Sequence, residues 1–98
     1  MIKAKAHAET ENASKYLQQL CKHFRHKVPA EYDAHQAKVD FPFGLCLMNA
    51  DDTKLQINCE APDDEAFTKM KFVIDDHLER FAWKEELKLS WDIEGKDN

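Results

Sequence analysis

In IKAKAHAE, residues 2–9, every second residue is apolar: Ile2, Ala4, Ala6 and Ala8 stand against Lys3, Lys5, His7 and Glu9. Side chains alternate across a strand, so this period predicts a half-buried β-strand with His7 and its polar neighbours turned to solvent. The inner face is made of small residues, and whatever covers it must pack close. The alternation returns in Lys54 to Glu60, where Leu55, Ile57 and Cys59 oppose Lys54, Gln56, Asn58 and Glu60. It returns again in Leu87 to Glu94, where Leu87, Leu89, Trp91 and Ile93 oppose Lys88, Ser90, Asp92 and Glu94. Strands with one apolar face must bury that face against another layer.

Two segments change the period to that of a helix. From Asn12 or Thr10, either a good N-cap, the residues Ala13, Tyr16, Leu17, Leu20, Cys21 and Phe24 recur at helical spacing. Pro29 ends that run by Lys27, because it drives Val28 away from helical dihedrals. In the second segment, APDDEAF sets acids at the first turn, where the macrodipole favours them. Phe67, Met70, Ile74, His77, Leu78 and Phe81 then make a buried stripe. Between the helices the chain predicts strands at Tyr32 to Phe41, Leu45 to Ala50 and Lys54 to Glu60, with Pro42 and Gly44 marking one turn and ADDT the next. The register of the last hairpin stays open. A two-residue loop sets Cys46 and Met48 beside Leu55 and Ile57, whereas a three-residue loop sets Leu45 and Leu47 there. The order is β-α-β-β-β-α-β, an α+β two-layer sandwich with a mainly antiparallel sheet and both helices on one face. Residues 1–94 are expected to form a single domain and 95–98 a disordered tail.

Composition narrows the partners. A chain of 98 residues with 43% hydrophobic content suits one core without staples, and no apolar run approaches the ~18 residues of a membrane span. The N-terminus lacks a signal-peptide pattern, and three cysteines without a CxxC fit a reducing compartment, so the expected location is cytoplasmic. Nineteen acidic against fourteen basic residues give a formal charge of −5, which works against binding a phosphate backbone. Neither nucleic acid nor membrane is an expected partner.

The densest chemistry lies in CKHFRHKVP, residues 21–29. On a helix Cys21 and His23 point some 160° apart, so they do not close on one ion. His23 and His26 are about 60° apart, but two imidazoles fall short of the four ligands of a structural zinc site. Lys22, Arg25 and His26 share the exposed face near the helix end. They read as a solvated, dipole-matched terminus or as a weak anion site for a carboxylate-bearing ligand. His77, on the stripe of the second helix, reads as a paired core histidine or as a ligand, with His23 its best remote partner. The sequence does not say whether those two flanks meet. Phe72 and Trp83 fall opposite the stripe with Asp76 and Glu79 between them, and require cover from the last strand, a loop or a second copy, a homodimer through the Phe72 face. Cys21, Cys46 and Cys59 read as small core residues. There is no GxSxG, Gly-rich phosphate loop or HExxH, so no catalytic residue, metal or cofactor is assigned and no enzyme activity is expected.

QLCKHFRHKV after an alternating first strand, FPFG in the middle, EAPDD before the second helix and HLERFAWKEEL at its end resemble the small bacterial domain of unknown function family 2218. The resemblance covers nearly the whole chain. It implies an α+β sandwich similar to the TATA-binding-protein class. Members occur alone or joined to flavin-containing siderophore-interacting proteins, which implies an association with iron uptake and no assigned activity or site residues. The function expected is that of a non-enzymatic accessory or binding protein, with a small metal- or haem-binding protein using His23, His26 or His77 as the alternative.

Overall fold

The alternating segments become neighbours in one antiparallel sheet. The computed structural model describes residues 1–96. The order is β1 (Ile2–Glu9), α1 (Ala13–Phe24), β2 (Ala30–Tyr32), β3 (Gln36–Phe41), β4 (Gly44–Ala50), β5 (Lys54–Ala61), α2 (Asp64–Phe81) and β6 (Ser90–Lys96). The sheet runs β2-β3-β4-β5-β1-β6, so the first strand lies between β5 and the last strand. All buried strand residues share one face, against which both helices pack, and the other face is open and polar apart from Leu45 and Leu47 of β4. Leu17, Leu20, Leu55, Ile57, Ile74 and Leu78 are fully buried there. Each contributes about 1.5–3 kcal/mol of burial, so the helix–sheet interface holds the fold. Ile2 and Ala4 of β1 join Ala61, Ala66 and Phe67 in a smaller cluster, the close packing that the small β1 face requires.

The expected order stands with refinements. The segment Tyr32 to Phe41 is not one strand but the hairpin β2-β3. The Asp33 carboxylate accepts from the amides of His35 and Gln36 at 2.7 and 2.8 Å, folding the backbone into a turn that interrupts the extended run. The β4-β5 register is settled by the same device. Asp51 Oδ1 accepts from the amides of Thr53 and Lys54, leaving Asp52 and Thr53 as a two-residue loop, and Cys46 faces Cys59 while Met48 faces Ile57. Gly44 opens β4 because a Cβ there would lie 2.4 Å from the Glu60 carbonyl oxygen and 2.6 Å from Met70 Cε.

Helix α1 stops at Phe24, short of Lys27. Beyond it the amides of Lys27 and Val28 both bond the Phe24 carbonyl in a tightened turn. Its N-cap Asn12 makes no side-chain cap bond. Thr10 Oγ1 accepts from the Asn12 amide instead. Asp63 caps α2 by accepting from the Ala66 amide, with Asp64 and Glu65 in the first turn as expected. The last strand begins at Ser90, not Leu87. Leu87 and Leu89 lie in the connection, half-buried against the core, and Ile93 is 56% exposed beyond the reach of α2. Of the expected tail, Gly95 and Lys96 pair with Lys3 and Ile2 in β6, and residues 97–98 lie outside the described residues. No helix among the described residues is long and apolar enough to cross a membrane.

Candidate ligand pocket between the helices

The two helix flanks that carry His23 and His77 do meet. Their ring centroids lie 4.4 Å apart with planes tilted by 41°. His23 projects from the last turn of α1 and His77 from the penultimate turn of α2, and both are half-buried. Helical spacing explains the pairing: Leu20 and Phe24 anchor one flank of α1 in the core, Ile74 and Leu78 do so for α2, and each histidine is left at the seam between them. Phe24 and Phe81 add edge contacts to the same ring group, with Phe24 lying 5.3 Å from His77 and Phe81 lying 6.1 Å from His23.

A pocket of about 380 Å³ opens beside this pair. One wall is His23, Phe24, Lys27 and Val28 from the end of α1; the second is Val73 and His77 from α2; the third is the corner Phe41, Pro42 and Phe43 between β3 and β4. Phe41 and Phe43 stack at 5.2 Å with planes only 10° apart, and Phe24 meets Phe41 edge-on at 5.1 Å. A hollow of similar size, about 410 Å³, lies at the β2-β3 edge beside Glu31, Asp33, Gln36 and Lys38. It is a more open surface of mixed character, with Tyr32, Ala37 and Leu47 among its polar residues and no imidazole. Ligand sites are characteristically apolar with a few converging polar groups, and the histidine pocket has that character.

The polar atoms of the pocket are specifically arranged. His77 Nδ1 lies 2.7 Å from the Val73 carbonyl oxygen, which accepts only, so Nδ1 carries the hydrogen and Nε2 is the nitrogen left outside that bond. Burial, followed by the nearby His77, Lys27, His26 and Arg80, holds the pKa of His23 below its usual 6.5. His23 is therefore neutral at pH 7.

The opposite end of the helix pair is closed. Glu85, just after α2, accepts from Thr10 Oγ1 at 2.8 Å, from Asn12 Nδ2 at 3.1 Å and from the Tyr16 hydroxyl. Burial first, then the hydrogen bond to Glu85, pushes the Tyr16 hydroxyl up to about 12, while bonds from Tyr16, Thr10 and Asn12 hold the Glu85 carboxyl below the usual range.

The remaining predicted residues are scattered. Lys22, Arg25 and His26 are exposed on and after the last turn of α1, and none of them makes an ion pair among the described residues. Phe72 and Trp83 are 69% and 67% exposed, so cover from within the chain is not what protects them. The last strand covers the neighbouring flank of α2 instead. Trp91 Nε1 donates to Asp75 at 2.8 Å, and the Trp91 ring meets Phe67 edge-on at 5.7 Å. All three cysteines are buried and unpaired. Burial pushes the Cys21 thiol up to about 11, and the hydrogen bond with Cys59 followed by burial raises Cys46, so the reactive thiolate is disfavoured at both. No group of three or more His, Cys, Asp or Glu side chains among the described residues is arranged to hold a metal ion. Sequence reasoning missed Lys27, Phe41 and Phe43. The signal available was Lys27 four residues after His23 and a Phe-Pro-Phe corner too apolar for an ordinary turn.

Residues 5–92 match the model of the family described as "Uncharacterized protein conserved in bacteria (DUF2218)". No curated protein matches the chain. Among solved structures, the NMR structure of PA4090 from Pseudomonas aeruginosa is similar at 32% identity, with 94% of this chain and 96% of that chain covered and a TM-score of 0.78.

Proposed function

The chain belongs to this family of uncharacterised bacterial proteins, and from that premise we propose that it is a non-enzymatic binding domain whose small-molecule ligand occupies the pocket beside His23 and His77. The observation that carries the reading is the convergence of two half-buried imidazoles on an aromatic cavity of about 380 Å³. Three of the four stretches on which the family resemblance rests, QLCKHFRHKV, FPFG and HLERFAWKEEL, supply residues to that cavity. The burial of all three thiols, with Cys21 and Cys46 pushed away from the thiolate, argues against a nucleophilic mechanism and accords with a cytoplasmic setting. The resemblance to domains joined to siderophore-interacting proteins orients the reading toward iron-uptake metabolism. Chemical-shift mapping of the isotope-labelled chain against a diverse metabolite library tests it. The expected hits move the amides of His23, Lys27, Phe43 and Val73 together. Hits confined to other surfaces, or none, would remove the pocket from consideration.

A second reading keeps His23 and His77 as ligands of an exchangeable metal ion. One observation favours it: an imidazole whose Nδ1–H is held by a backbone carbonyl, as in His77, is oriented as metal-bound histidines are. His26 has no part in that arrangement, because it is exposed beyond the end of α1. Two imidazoles supply half of a structural zinc site, so zinc or ferrous titration should show binding weaker than about micromolar. Tighter binding that disappears in His77→Ala would make the metal the primary ligand.

A further inference from the structure

We infer that the pocket takes a small planar carboxylic acid as its anion, with the flat ring system among Phe24, Phe41 and Phe43 and the carboxylate at Lys27 and His23. This rests on the reading of the pocket as the binding site. It adds the chemical class of the ligand.

Shape comes from the aromatic walls. Phe41 and Phe43 are parallel to within 10° and Phe24 stands edge-on to Phe41, so the cavity offers one broad π surface with an aromatic edge against it. Rings stack offset or meet edge to face, and this arrangement leaves a place for one more flat ring. Val28, Pro42 and Val73 complete the apolar part of the lining, leaving His23, His77 and Lys27 as its hydrogen-bonding side chains. At about 380 Å³ the cavity is near the lower end of small-molecule sites, suited to one ring or a fused pair and not to a large cofactor.

Charge comes from the lip. The chain carries 19 acidic residues and a formal charge of −5, yet none of the pocket residues is acidic. Lys27 is exposed and makes no ion pair among the described residues, whereas Lys3, Lys5, Lys69, Lys71 and Arg80 are each engaged by a carboxylate. Lys22 and Arg25 surround the same turn and extend the positive field beyond the lip, with His26 beside them. An anion entering here meets one free ammonium and a neutral imidazole able to donate, whereas a neutral acceptor can take a hydrogen bond but leaves the ammonium's charge unmatched. The cluster that the sequence marked as an anion site thus steers, and Lys27 receives.

Calorimetric titration of the full chain with naphthoate, naphthamide and octanoate tests the assignment. Naphthoate should bind about tenfold or more tighter than naphthamide, the usual scale of a charge-assisted hydrogen bond. Lys27→Met should abolish most of that preference with the thermal midpoint unchanged, since the side chain is exposed. Octanoate should bind more weakly than naphthoate. Equal binding of acid and amide, or a preference that survives Lys27→Met, overturns the anion assignment while the pocket reading stands. Octanoate matching naphthoate overturns planarity. Failure of every library compound to perturb the pocket overturns both readings.

Discussion

The two ends of the α1–α2 pairing are built on opposite plans. At the end near Tyr16, the Glu85 carboxylate accepts three hydrogen bonds from Thr10, Asn12 and Tyr16, tying the chain after α2 to the start of α1. At the end near His23, two imidazoles lie 4.4 Å apart with Nε2 of His77 uncommitted, beside a cavity and an unpaired lysine. A polar network that is fully satisfied rigidifies; polar atoms left spare at an apolar hollow are available to a ligand. The contrast assigns stability to the first end and recognition to the second. Gln19 sits between them on the same helix, its buried Oε1 without a hydrogen-bond partner.

The largest effect expected is at the closed end. Tyr16→Ala removes a buried ring together with its bond to Glu85 and should cost about 3–5 kcal/mol in urea denaturation, whereas His77→Ala at the open end should cost about 1 kcal/mol. Equal losses would erase the distinction. The ends should also respond to acid in separate windows. His23 has a lowered pKa in the folded chain, so its neutral form is favoured there, and stability should decline as pH falls below 6.5 through the folded value. Glu85 is likewise depressed; its contribution is complete above the usual 4.5 and is lost as pH falls through its lower folded value. His23→Asn should lessen the slope of the upper window alone and Glu85→Gln that of the lower one alone, read as denaturation midpoints across pH; Asp33 and Asp51, held below the usual carboxylate range by backbone amides, keep the rest of the lower slope in both variants. One merged transition in both variants would contradict the separation. The smallest effect belongs to Gln19. Replacing it with leucine removes an unsatisfied buried acceptor, so stability should stay within about 0.5 kcal/mol of the parent or rise by up to about 1 kcal/mol. A loss larger than that would mean Gln19 is bonded after all.

Much of the sheet was legible because alternation is a local signal. β1 and β5 follow their apolar residues one by one, and the stripe of α2 is buried from Phe67 to Leu78. What escaped was set by side chains acting on the backbone or by distant partners. Asp33 broke a strand that its hydrophobic pattern would have continued. Trp91 found Asp75 and left Phe72 uncovered, a choice that periodicity on α2 alone does not encode. His23 and His77 could each be placed on a flank, but the 4.4 Å between them depends on how two helices dock on a shared sheet. The Glu85 clamp spans 69 to 75 residues in sequence to its hydroxyl partners and has no local signature.

The central claim, that the His23 end is the recognition end, is tested most directly by long-range nitrogen–proton spectra of the imidazole rings during a titration with naphthoate. The account predicts His77 as the Nδ1-protonated tautomer in the free protein, with ligand moving the ring signals of both His23 and His77 while the Tyr16 and Glu85 signals stay fixed. Ring signals of His23 and His77 that remain unmoved at saturation, with shifts appearing instead around Phe72 or Trp83, would contradict it.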